Sequence, residues 1–169
     1  MMSEPQVVER PAQPYVARRT QVTMQELGSV IPQLHATVYV WLRGHGIAPA
    51  GAPFIRYRVI NMQAKLDIEL GVPIAHAVGS EDPFVADVVP AGRYATLIYT
   101  DVARGMEANK ALLDWGAQQG LVWDSWPEGN GEGFGARLEV YLTDPKDEPD
   151  LAKWETEVAI RLADGPAQS

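Results

Sequence analysis

Two stretches of this chain repeat each other at an offset of 84 residues. Gly51-Ala-Pro-Phe-Ile-Arg-Tyr57 and Gly135-Ala-Arg-Leu-Glu-Val-Tyr141 both open on Gly-Ala and close on Tyr. Upstream of each lies a second matching pair, Glu9-Arg-Pro-Ala-Gln-Pro-Tyr-Val-Ala-Arg18 and Asp87-Val-Val-Pro-Ala-Gly-Arg-Tyr-Ala-Thr96. Both members of that pair read as a turn leading into a strand, and each is followed by a helical stretch. A repeated sequence means a repeated supersecondary unit. The order in each half is strand, helix, strand, strand, with closing strands over Lys65–Val72 and Glu155–Leu162. A helix can cover only one face of such a unit. Two units side by side therefore predict an α+β domain, with both helices on one side of a larger sheet and an open groove on the other.

Helix boundaries follow from caps and period. Thr23-Met-Gln-Glu26 has capping-box spacing. Pro32 removes a donor and predicts a break, with a second helix starting there. Leu34, Val38, Trp41 and Leu42 then share a face, and Gly44 or Gly46 ends the helix. In the second half Val102, Met106, Leu112, Leu113 and Ala117 form the apolar face, and Gly120 supplies the stop. Strands follow from alternation. Ile55, Tyr57 and Val59 share one side, as do Leu138, Val140 and Leu142, with Glu139 and Tyr141 on the other. The stretches 48–53 and Asp144–Asp150 read as loops. Residues 1–5 and Ala163–Ser169 read as frayed ends.

Composition excludes several functions. Of 169 residues, 46% are apolar, enough for a core and against general disorder. A net charge of -8 repels phosphate backbones, so nucleic-acid binding is not expected. No apolar run reaches membrane-spanning length and no export signal is present, so the expected compartment is the cytoplasm. With no cysteine there is no disulfide, thiolate metal site or thiol nucleophile. His35, His45 and His76 lack metal-ligand spacing and read as surface or capping residues, so neither a metal nor a cofactor is expected. Gly129-Asn-Gly-Glu-Gly-Phe-Gly135 lacks dinucleotide-binding spacing and precedes a strand. It reads as a flexible loop.

One residue breaks the apolar pattern. Glu139 stands where the first repeat has Ile55, two residues from Tyr141 on the same side. An unpartnered buried carboxylate is costly and has a raised pKa. Glu139 therefore either faces solvent or sits at the floor of a groove awaiting a cation or a proton. Trp115, Trp123, Trp126 and Trp154 all fall in the same half. Aromatic walls around one acidic group suit a lipophilic cation, while a buried Trp also serves ordinary core packing.

Three motifs carry a resemblance: Pro-Ala-Gly-Arg-Tyr at 90–94, Gly-Ala-Arg-Leu-Glu-Val-Tyr-Leu-Thr-Asp-Pro at 135–145, and Trp-Glu-Thr-Glu-Val-Ala-Ile-Arg-Leu at 154–162, joined by the 51–57 segment. In this order and spacing the chain resembles the GyrI-like small-molecule-binding domain, the effector-binding domain of AraC- and MerR-type bacterial regulators. One departure is Arg161-Leu162, where the family usually ends on Pro-Leu. The resemblance implies duplicated β-α-β-β units with pseudo-twofold symmetry, an antiparallel sheet and a central ligand groove. It implies one domain over residues 5–164, with repeats over about 5–78 and 79–164. It also implies a Glu on the strand matching 138–142 that meets cationic ligands, which is Glu139 here, with Tyr141 two residues on.

Three functions are consistent with these residues. The first is a stand-alone domain binding aromatic or amphipathic small molecules, neutral to cationic. Glu139 supplies the charge, and Tyr57, Tyr141, Trp41, Trp123 and Trp154 supply the walls. The second, implied by hydrolases within the family, is opening of cyclopropane-bearing alkylating compounds, with Glu139 activating water and Tyr141 or Tyr57 donating a proton. The third is an interaction protein whose partner is a transcription regulator or gyrase. No helix-turn-helix segment is present, so a complete transcription factor is not expected.

Overall fold

The computed structural model describes residues 1–165. Ten strands and two helices follow one another as β1 (Gln6–Arg10), β2 (Gln13–Val22), α1 (Leu27–Gly44), β3 (Phe54–Ile60), β4 (Leu66–Pro73), β5 (Phe84–Val89), β6 (Gly92–Thr100), α2 (Gly105–Gln118), β7 (Ser125–Glu128), β8 (Gly131–Phe134), β9 (Arg137–Tyr141) and β10 (Glu155–Arg161). They form one antiparallel sheet in the order β1-β6-β10-β9-β3-β4-β2-β5. The inner six strands read the same from either end: outer strand, last strand, middle strand of each unit. The units join through β3 and β9, where Phe54, Ile55 and Arg56 lie opposite Val140, Glu139 and Leu138. The local twofold axis thus passes through the Ile55–Glu139 pair, the position at which the repeats differ by a carboxylate. The duplicated α+β architecture is as expected. β1 and β5 extend the two edges, and the β7–β8 hairpin attaches to the end of β3 through Val59 and Ile60.

Period-two alternation sorts the strand residues between two faces. On one face Val22, Ile55, Leu66, Ile68 and Leu70 pack under α1. Ala95, Leu97, Val158 and Ile160 pack under α2 through its Ala108 and Leu112. On the other face Tyr15, Phe54, Tyr94, Ala136, Leu138 and Ala159 meet in a cluster of their own, enclosed by the curl of the sheet. That face also buries charge. The Tyr15 hydroxyl bonds Glu69, which is 0% exposed. Arg58 pairs with Glu69 at 3.2 Å and Asp87 at 2.5 Å, and Arg56 donates to Tyr15 and to the carbonyls of Val88 and Gly135. Buried charges persist when each finds partners, and here they do.

Several local expectations are corrected. The capping box forms, with reciprocal bonds between Thr23 and Glu26, but Pro32 lies inside a single helix α1 and does not divide it. The buried face of α2 is Ala108, Leu112 and Gly116. Met106 is 70% exposed, and Val102 and Ala117 are exposed as well. A bulge between Tyr57 and Val59 switches the parity of β3, so that Ile60, not Val59, packs on Tyr57's side. The glycine-rich stretch is not a flexible loop. It is the β7–β8 hairpin, with Gly129 at φ 58° in its two-residue turn and Gly133 lying flat beneath the Trp126 indole. His35 is buried and bonds the Phe54 carbonyl through Nε2 at 2.9 Å. Residues 1–3 pair with β6 through Thr100 N to Met1 O and Ser3 N to Ile98 O. Of the expected C-terminal fraying, 166–169 lie outside the described residues, and Ala163 N bonds Val122 O.

The β5 edge is closed by its own neighbours. Its outward-facing residues are Phe84, Ala86 and Val88. Phe84 exchanges bonds with Glu81, Ala86 exchanges bonds with the Ser80 hydroxyl, and Val88 meets the Asp87 side chain and Arg56. An open edge is a template for pairing with other chains, and this one offers little. Inside the sheet, Gly71 makes room for the edge-to-face pair of Tyr15 and Phe54, whose centroids are 5.1 Å apart. A Cβ at Gly71 would lie 2.6 Å from Phe54 Cζ. Gly71→Ala is therefore expected to cost about 1–3 kcal/mol by overpacking, read as a lowered midpoint of urea unfolding. An unchanged midpoint would show that the pair relaxes freely.

Candidate ligand-binding groove

α1 packs on β2 and β4, while α2 packs on β6 and β10. α1 also packs on Ile55 of β3, and the remaining helix-side residues of the two central strands, with Tyr99 of β6, form the floor of a groove of about 1790 Å³ between the helices. This corrects the expected placement: the groove shares the face with the helices and does not lie behind them. The opposite face is filled by the aromatic cluster and the charge network.

The floor consists of Tyr57 from β3, Tyr99 from β6, and Arg137, Glu139 and Tyr141 from β9. Leu27, Ile31, His35 and Tyr39 form one wall, and Met106, Asn109 and Leu113 the other. Four of the chain's most exposed large apolar side chains stand at the mouth: Met62 (54%), Met106 (70%), Leu142 (45%) and Leu151 (50%). Apolar groups concentrated around an opening mark an interaction surface.

Glu139 is half-buried and faces the groove. Its Oε1 accepts from Asn109 Nδ2 at 3.2 Å, and the same amide donates to the Gly105 carbonyl at 2.8 Å. Burial raises the Glu139 pKa above the ordinary carboxylate range, opposed by the Asn109 hydrogen bond and the Arg137 charge. Burial and the nearby carboxylate push the hydroxyls of Tyr57 and Tyr141 well up, and raise Tyr99 to about 12. All three phenols are therefore neutral donors at physiological pH. His35 is held neutral by burial, its ring set edge-on to Tyr141 at 6.2 Å. Among the described residues no cluster of three His, Asp or Glu could hold a metal ion.

Of the six residues singled out in the sequence, Glu139, Tyr141, Tyr57 and Trp154 line the groove. Trp154 sits at its rim, where its Nε1 donates to Glu148 O at 2.7 Å. Trp41 and Trp123 are elsewhere. Trp41 stacks on His45 at 4.0 Å and against Phe84, on the far side of α1. Trp123 bridges Leu162 and fills the space left by Gly116 of α2. Helical period correctly placed Trp41 against the core with Val38 and Leu42, but on the side of α1 away from the groove. Sequence reasoning missed Arg137, Asn109 and Tyr99. For Arg137 the signal was present, because the alternation that joins Glu139 to Tyr141 joins Arg137 to both. Asn109 and Tyr99 depend on where α2 and β6 dock, which no local pattern encodes.

A sheet with two flanking helices and an apolar groove floored by one carboxylate defines a small-molecule-binding domain. The chain belongs to the GyrI-like family: the family described as GyrI-like small molecule binding domain matches residues 3–163. No curated protein matches the sequence. Among solved structures, it is similar to the EcmrR C-terminal domain, at 18% identity and a TM-score of 0.74, covering 96% of this chain and 98% of that one. It also matches EcmrR in a DNA complex (18%, TM-score 0.76, 94% of this chain), but spans only 57% of that longer chain. SAV2435 bound to tetraphenylphosphonium matches at 10% identity with a TM-score of 0.58, covering 95% and 94%. A hydrolase from Listeria innocua matches at 11% with a TM-score of 0.59, covering 95% and 92%. No helix among the described residues is long and apolar enough to cross a membrane.

A pKa raised in the folded state means the ionised carboxylate disfavours folding, so stability falls as pH rises through the folded pKa. Glu139→Gln is therefore expected to melt higher than the parent at pH 7–8, with the two Tm values converging as the pH drops below the ordinary Glu range. Equal Tm values at every pH would mean that the carboxylate is fully solvated.

Proposed function

We propose that this protein binds aromatic, amphipathic small molecules, cations among them, in the groove between α1 and α2. The observation that carries this reading is Glu139: a carboxylate with a raised pKa on a floor shared with three tyrosines and Arg137, beneath a mouth of exposed Met and Leu. A lipophilic cation brings the counter-charge that desolvated Glu139 lacks, and the aromatic rings accept it by cation–π attraction. Flexible methionines at the mouth tolerate ligands of varied shape. That SAV2435, a structural neighbour, is bound to tetraphenylphosphonium agrees with such a ligand class. By this reading each half of the chain, about 5–78 and 79–164, contributes one wall to a single domain of residues 5–164, the first half adding one floor strand and the second half two.

Tetraphenylphosphonium added to the protein is expected to quench tryptophan fluorescence through Trp154, and Glu139→Gln to weaken binding roughly tenfold, the loss of one charge interaction at about 1.4 kcal/mol. Unchanged affinity in the variant would remove Glu139 as the counter-charge.

A second reading is favoured by the tyrosine hydroxyls grouped around Glu139 and by the hydrolase from Listeria innocua among the structural neighbours. Glu139 would take a proton from water, and the hydroxide so formed would attack a strained ring carbon. The breaking carbon–carbon bond would send its electrons to a substrate oxygen, which Tyr57 or Tyr141 would protonate. Mass spectrometry of a cyclopropane-bearing alkylator incubated with the protein is expected to show gain of one water, abolished by Glu139→Gln. Binding with no hydrated product would leave the ligand-binding reading alone.

A further inference from the structure

We propose that Arg137 gives the groove an anion subsite beside Glu139, so that the preferred ligands are aromatic zwitterions and not simple lipophilic cations. This rests on the groove being a ligand site, as argued above, and specifies what it takes. Arg137 and Glu139 are alternate residues of β9, so their side chains leave the strand on the same face, with backbones about 7 Å apart. Both belong to the second repeat alone, since the first has Pro53 and Ile55 at the matching positions.

The Arg137 guanidinium is under-used by the protein. Nη2 donates to Asn109 Oδ1 at 2.9 Å, and the group lies over the Phe134 ring at 4.9 Å. A guanidinium carries five N–H donors. Among the described residues no other acceptor takes one, and no carboxylate oxygen comes within 4.0 Å of it. Its nitrogens are not among the sealed, unpartnered polar atoms, and Arg137 lines the groove. Arg56 and Arg58 on the opposite face differ: their bonds run to Tyr15, Glu69, Asp87 and two carbonyls. A half-buried guanidinium over a ring, with a free fork of donors, fits a carboxylate or sulfonate oxygen pair. Asn109 keeps the two charges apart. Its carbonyl takes Arg137 and its amide takes Glu139, so neither satisfies the other and each remains available to one end of a dipolar ligand.

Rhodamine B, which carries a carboxylate and a cationic xanthene, and its ethyl ester, which carries the cation alone, separate the two subsites. In fluorescence-anisotropy titrations the parent protein is expected to bind the zwitterion about tenfold more tightly than the ester. Arg137→Gln abolishes that preference, Arg137→Lys keeps part of it, and Glu139→Gln weakens both dyes. A thermal melt of each variant confirms that the comparison is between folded proteins. Equal binding of the two dyes by the parent, or a preference that survives in Arg137→Gln, overturns the anion subsite and leaves the groove reading intact. Failure of the parent to bind rhodamine B, its ester and tetraphenylphosphonium alike overturns both.

Discussion

Where β3 crosses the local twofold axis beside β9, Ile55 of one half lies opposite Glu139 of the other. That pairing is the constraint on which the molecule turns. It joins two three-stranded units into one continuous sheet. Each helix packs mainly over the outer strands of its own unit, and most of the helix-side face of the joining strands is left to the groove. The groove is thus a consequence of duplication: two units, each able to bury only its own flank, leave an uncovered seam. Symmetry would fill the seam with apolar groups from both halves. Arg137 and Glu139 break it from one side only, and the charged chemistry of the site arises there.

The two faces of the sheet treat charge in opposite ways. Behind the sheet, Glu69 is wholly enclosed but meets Tyr15 and Arg58, and Arg58 also meets Asp87. Removing one member would strand the others, which is how a buried ionic cluster enforces one arrangement of strands. On the groove side, Glu139 and Arg137 each bond Asn109 and neither forms a close pair with the other. A protein stabilised by every charge it buries would have paired them. Their separation is what leaves a partner role open.

Much of this was legible in the chain. The repeat at an offset of 84 identified both units. It also marked Ile55 and Glu139 as equivalent positions, and the β3–β9 register then places that pair on the axis. Alternation placed Glu139 with Tyr141, and capping chemistry placed Thr23 and Glu26. What escaped was decided at a distance. Pro32 stays within α1 at the loss of a single intrahelical bond, the one its missing N–H would make to the Gly28 carbonyl. The bulge after Tyr57 is set by pairing with both β4 and β8, and is invisible in the sequence of β3 alone. Trp41 and Trp123 were drawn into the site by composition, since aromatic residues near an acidic one look alike whether they line a cavity or fill a core. The side of the sheet on which the groove opens depends on sheet curl, which encloses Tyr15, Phe54 and Tyr94 and leaves no room there.

The desolvation that raises the Glu139 pKa would also make the residue selective in the proposed function. A carboxylate in open water meets any cation weakly, because solvent screens the attraction and competes for its oxygens. At the groove floor water is displaced by tyrosines, so the attraction to a cation that can itself shed water is stronger, while a small hydrated ion would have to give up more hydration than the site returns. The mouth of Met and Leu side chains favours the same ligands for an independent reason, through apolar contact. In the proposed function, hydrophobic entry and an ion pair at depth would act on one molecule in sequence: an aromatic body would reach the floor by burying its surface, and its charge would be recognised only after the surrounding water had left.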